Sequence, residues 1–159
     1  MDPEEVAQMK KLMTRDGAVT GVQSGSGDDL VLLHSLLCDR TSFDAALPVF
    51  AARYRVTVIN LPGFHGSRSV EANINSYVDA IAKAIADFGV DGNITLLGNG
   101  FGGTLALAFA AAKPTALSKL IVVDAAAAFP EVGRQAFVSM AAMVRDQGMS
   151  AIEIGRAHV

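Results

Sequence analysis

The chain has 159 residues, 51% hydrophobic and 18% charged, enough to bury one core. A formal net charge of −3 gives no electrostatic reason to expect nucleic acid or an anionic membrane as partner. The longest apolar runs fall short of a membrane span, no signal leader is expected, and a single cysteine, Cys38, excludes an internal disulfide framework and suits a reducing cytoplasm.

Residues 1–11 read as a polar, frayed lead-in. Leu12 to Arg15 and Ala18 to Gln23 flank Asp16-Gly17, a two-residue hairpin signal. Ser24 to Asp29 is expected to be a loop, and Leu30 to Leu33 a strand covered on both faces. Thr41 with Asp44 suggests a capping box before a short helix, although Pro48 leaves the start of that helix open. Arg55 to Leu61 reads as a second buried strand, with a turn over Pro62 to Ser67. Ile74, Tyr77, Val78, Ile81, Ile85 and Phe88 fall at helical spacing, predicting an amphipathic helix from Asn73 to Phe88 ended by Gly89. A strand at Ile94 to Leu97, a helix ending at Ala112, a strand at Leu120 to Val123 and a helix at about Val132 to Asp146 follow. Strands alternating with helices predict an α/β fold, a mostly parallel sheet with helices on both faces.

Between the strand at Ile94 and the helix ending at Ala112 lies Gly98-Asn99-Gly100-Phe101-Gly102-Gly103. Four of its six residues are glycine, so the chain can turn very tightly there. Two machines use such a turn. Gly98, Gly100 and Gly103 fit the dinucleotide fingerprint G-x-G-x-x-G, with Asp124 about 20 residues on as the ribose acid of a Rossmann domain binding NAD or NADP. Gly98, Gly100 and Gly102 fit the nucleophile elbow G-x-S-x-G only with glycine in place of serine.

The segments upstream bear on the choice. Leu30-Val31-Leu32-Leu33-His34-Ser35 resembles the strand and H-G loop that open α/β-hydrolases, and Phe43 to Ala52 resembles their first helix. Val56 to Phe64 resembles their next strand and D-x-P-G-x-G-x-S turn, and the glycine turn then follows in the family's order. Glu131 to Ile152 resembles the start of the helical cap of enol-lactonase-like members. The resemblance runs from about Leu12 to Ile152 and implies the N-terminal part of an α/β-hydrolase fold over 12–127, with the start of a cap over 128–153. Residues 154–159, Ile-Gly-Arg-Ala-His-Val, look like a translated sequencing adapter and are left out of the fold reasoning, so the reading frame is expected to be truncated before the family's C-terminal histidine.

The resemblance implies a small-molecule carbonyl substrate or ligand, with no cofactor and no metal. It puts Gly100, which has no side chain to attack with, at the nucleophile position, and assigns oxyanion donors to the backbone N–H groups of Phe101 and Leu36. Asp124 is a candidate acid, and His34, Ser35, Asn99 and His65 are candidate pocket residues. Ser35, Asn60 and His65 depart from the family's usual Gly, Asp and Gly, which puts hydrogen bonding in these loops in question. Ser35 and Cys38 lie near the site as substitute nucleophiles, without a visible base.

Overall fold

The computed structural model describes residues 9–149. Most of the lead-in (1–8) and all of the proposed non-natural tail lie outside the described residues. The chain divides into two compact units, Met1–Ala127 and Ala128–Val159.

The first unit is built on six strands: β1 (Lys10–Met13), β2 (Thr20–Ser24), β3 (Asp28–Leu33), β4 (Tyr54–Ile59), β5 (Ile94–Asn99) and β6 (Leu117–Val123). They form one sheet in the order β1-β2-β4-β3-β5-β6. The hairpin β1–β2 is antiparallel, and β3 to β6 are parallel. The sheet is thus mostly parallel, as expected.

Helix α1 (Leu47–Ala51) and a 3-10 turn (Arg40–Phe43) link β3 to β4, α2 (Ile74–Asp87) links β4 to β5, and α3 (Phe101–Ala112) links β5 to β6. Two apolar cores result. Leu30, Leu32, Val56 and Val58 pack with Phe43 and Leu47 on the α1 side. Val31, Leu33, Leu96, Val78, Ile81, Ile85, Leu105 and Phe109 pack on the α2–α3 side. Alternate residues of β3 thereby enter opposite cores, which is why its apolar run is continuous. Each fully buried side chain of this size contributes about 1.5–3 kcal/mol.

Three local expectations are corrected. Asp29 is in β3, not in a loop, because Arg55 across the register holds it in a bidentate pair at 2.6 and 2.7 Å, so a charged residue can enter a strand. Thr41 is not the capping residue. Asp39 accepts its N–H at 2.7 Å, and a 3-10 turn ends before α1 begins one residue ahead of Pro48, at the helix start where proline is tolerated. Lys10 and Lys11 are not frayed but pair with Gln23 and Val22. By contrast, α2 follows its spacing closely, with Asn73 accepting the Ser76 N–H at 2.9 Å as its cap.

The second unit holds α4 (Glu131–Gln147), ended by Gly148 at φ 80°. Phe129 meets Phe137 edge-on at 5.2 Å.

Candidate functional site

In an open parallel sheet a ligand crevice forms outside the carboxyl ends of the strands, where the chain reverses its direction of progress across the sheet. Here β3 leads to β4 on one side, and the chain then crosses to β5 on the other. By that rule the place for a crevice is between the loop after β3, which begins with His34-Ser35-Leu36, and the glycine turn after β5. Among the described residues, three that are not glycine have positive φ: Leu37 at 60°, His65 at 38° and Asp124 at 48°. They stand in the loops after β3, β4 and β6, and Gly100, at φ 55° and ψ −120°, stands in the loop after β5. Unfavourable backbone conformations thus gather at one end of the sheet, the usual place for a site.

The glycine turn is closed by sterics as much as by torsion. A Cβ on Gly102 would fall 2.5 Å from His34 O and closer still to Leu33 O. A Cβ on Gly98 would fall 2.6 Å from Gly103 N, and one on Gly103 would fall 2.5 Å from Ala125 Cβ. The turn is fastened on its other side by the Gly100 N–H, which donates to Val123 O at 2.9 Å, and by Thr104 Oγ1, which donates to Ala126 O at 2.9 Å. Gly100 faces the β3 loop directly. A Cβ there would overlap the Ser35 hydroxyl and lie 2.9 Å from Ser35 Cβ.

His34 is fully buried and belongs to the wall rather than to an open pocket. Its Nε2 accepts the Leu61 N–H at 2.9 Å, so the proton of the neutral ring sits on Nδ1 and is donated to Ser35 O, also at 2.9 Å. Burial pushes its pKa below the ordinary 6.5. A proton added at Nε2 would meet the Leu61 N–H, so His34 is a strut between two loops and not a base. Phe64 packs edge-on against its ring at 5.2 Å.

Asn60, at the end of β4, is also a strut: its Oδ1 accepts the Arg40 N–H at 3.1 Å and its Nδ2 donates to Thr20 Oγ1 at 2.9 Å. Ser67 Oγ donates to Asn60 O at 2.8 Å and accepts the Thr20 N–H at 3.0 Å, closing the turn. His65 is exposed, with Nδ1 3.2 Å from Asp39 Oδ2. Cys38 is exposed on the β3 loop.

Phe101 opens α3, so its N–H has no carbonyl one turn earlier to bond. Its ring turns toward Tyr77 of α2, edge-on at 5.4 Å. Leu36 is exposed on the facing loop, and its N–H makes no backbone hydrogen bond among the described residues. Asn99, the last residue of β5, lies level with Val123. Asp124 is exposed immediately after the residue whose carbonyl holds Gly100. The structure therefore brings Ser35, Leu36, Asn99, Gly100, Phe101 and Asp124 to one end of the sheet, and puts His34 behind them.

Sequence reasoning missed Asp39 and the Thr20–Asn60–Ser67 network. Only the D-x-P-G-x-G-x-S likeness pointed to Asn60 and Ser67, and nothing pointed to Thr20 on the antiparallel hairpin. Among the described residues, no His, Cys, Asp and Glu side chains gather as a group of three able to hold a metal ion. A cleft of about 460 Å³ lies away from this end loop cluster, between the β1–β2 turn and α2, lined by Asp16, Glu71, Asp79 and Lys83 among others. Of its charged lining residues, Lys83 lies 3.3 Å from Asp16, and it also lies 2.7 Å from Asp87 outside the lining.

The model of the alpha/beta hydrolase family matches residues 30–157. A pimeloyl-(acyl-carrier protein) methyl ester esterase of Aeromonas hydrophila is 32% identical over 105 residues, covering 66% of this chain and 41% of that protein. The like-named esterase of Nitrosomonas europaea is 28% identical over 106 residues, covering 67% and 40%. A thermophilic esterase of Thermogutta terrifontis, solved with malate bound, superposes with a TM-score of 0.75 at 28% identity, covering 89% of this chain and 54% of the other. The chain thus spans about two fifths of the length of these curated relatives. Among the described residues no helix is long and apolar enough to cross a membrane.

Proposed function

Because the chain belongs to the alpha/beta hydrolase family, we propose that it engages a small ester- or lactone-type carbonyl over the glycine turn, with the nucleophile position vacant at Gly100. The observation that carries this reading is the turn itself. Gly100 holds the sharp φ 55°, ψ −120° conformation between β5 and α3, yet presents no side chain. The turn is a nucleophile elbow in shape and not in chemistry.

The backbone donors need no serine. Phe101 N–H at the first turn of α3 and Leu36 N–H on the facing loop form the oxyanion hole, assisted by the positive end of the α3 dipole. A carbonyl oxygen seated there is polarised, and a water rather than an enzyme serine attacks its carbon: the water's proton passes to solvent, the acyl C–O bond breaks, and the alkoxide that leaves takes a proton from solvent to become the alcohol. Asp124 is the acid that flanks this position, and Asn99 and the exposed His65 line the approach.

A second reading is that the pocket binds a carbonyl ligand without turning it over. It is favoured by the engagement of both His34 nitrogens with backbone groups, which removes the histidine nearest the turn from proton transfer.

The test pairs turnover of p-nitrophenyl butyrate with calorimetric binding of methyl butylphosphonate, an anionic tetrahedral mimic of ester attack. Expected are saturable phosphonate binding and no serine-esterase turnover of the kind that reaches about 1 per second or more. Such turnover would overturn the vacant nucleophile. Micromolar affinity for NAD or NADP with no phosphonate binding would overturn the carbonyl pocket in favour of the dinucleotide fingerprint.

A further inference from the structure

Ser35 and Gly100 occupy one small volume from opposite sides. A side chain starting at Gly100 would overlap the Ser35 hydroxyl and come within 2.9 Å of its Cβ. The serine expected at position 100 and the glycine expected at position 35 have, in effect, changed places across the crevice. We infer that Ser35 supplies the hydroxyl that the glycine turn lacks, and that it contacts the bound carbonyl as a hydrogen-bond donor beside the Phe101 N–H. This rests on the carbonyl pocket proposed above.

Three features hold the hydroxyl in that place. The Ser35 carbonyl accepts both the His34 Nδ1–H at 2.9 Å and the Cys38 N–H at 3.3 Å, so its peptide cannot swing away. His34 is in turn fixed by the Leu61 N–H. Gly100, having no Cβ, leaves the room that the hydroxyl fills. Among the described residues no group hydrogen-bonds the Ser35 hydroxyl, and it is not a buried orphan either, so it is reached by solvent and can turn its donor to a ligand.

The role is donor and not nucleophile. His34, the adjacent histidine, cannot take the proton with its Nε2 already accepting from Leu61. A serine without a base keeps its proton and uses it as a hydrogen-bond donor.

Methyl butylphosphonate is the probe. In wild type it must bind, and failure there would remove the carbonyl pocket itself. With that established, Ser35→Ala is expected to weaken the phosphonate about 10- to 100-fold, the range for one hydrogen bond to a charged group. Its melting temperature should stay within about 2 °C of wild type, because no internal hydrogen bond is lost. Equal affinity in Ser35→Ala would overturn the role of Ser35 and leave the pocket standing. The shared volume is tested separately. Gly100→Ser should lower the melting temperature through both its overlap with Ser35 and its φ of 55°, and in the Ser35→Gly, Gly100→Ser double variant the overlap's share of that loss should disappear while the torsional share remains. Additive losses would overturn the exchange. Covalent labelling of wild-type Ser35 by an alkyl fluorophosphonate, with loss of fluoride, would overturn the donor role by making the residue a nucleophile.

Discussion

The Leu61 N–H donates to Nε2 of the fully buried His34 at 2.9 Å, tying the end of β3 to the end of β4. The ring is neutral in this arrangement, and burial pushes its pKa below the ordinary 6.5. Just below pH 6.5, therefore, the unfolded chain takes up a proton that the folded chain refuses. The histidine's contribution is fully present above about pH 6.5 and is lost as the pH falls. His34→Ala should destabilise by about 1–3 kcal/mol for the orphaned Leu61 N–H alone, with the lost ring volume in addition. It should also flatten the decline in stability just below pH 6.5. Urea unfolding at several pH values measures both.

Gly102→Ala should be more damaging than a usual glycine-to-alanine change in a helix. Its Cβ would press on Leu33 O and His34 O, which are backbone atoms of a central strand and its loop. Overpacking against backbone costs about 1–3 kcal/mol, where alanine would otherwise raise helix stability by up to about 1 kcal/mol. An unchanged urea midpoint would show that the β3 loop yields.

Asp16 has its pKa lowered from 3.8 to about 2, chiefly by the Thr14 hydroxyl and then by the Ala18 N–H. A depressed carboxylate contributes stability that is present above about pH 3.8 and lost as the pH falls through about 2. Asp16→Asn should remove that part of the acid transition and loosen the β1–β2 turn. Thermal melts between pH 2 and 5 should then run more nearly level in the variant than in wild type.

Strand β6 ends the sheet with Ile121, Val122 and Val123 all 37% exposed or more. An apolar edge strand invites pairing with another copy. The chain should self-associate as its concentration rises, and Ile121→Lys should suppress this at a cost within about 0.5 kcal/mol. Light scattering over a concentration series reads the first effect and chemical unfolding the second. A wild-type chain that stays monodisperse at high concentration would contradict the expectation.

The amino-acid sequence by itself determined the alternation of strands and helices, the span of α2 and the position of the glycine turn. These follow from local periodicity, caps and glycine, which act within a few residues. The resemblance in motif order carried the family as well, since order along the chain needs no folding to be read. Tertiary structure decided what the individual site residues do. His34 reads as a pocket histidine until Leu61, 27 residues away, occupies its Nε2. Asp29 reads as loop until Arg55 reaches it across the sheet. Ser35 and Gly100 read as two separate departures from a motif, 65 positions apart, until the parallel pairing of β3 with β5 sets their loops face to face. Pairing of distant strands brings such residues together, and no local pattern records which side chains will then compete for one volume.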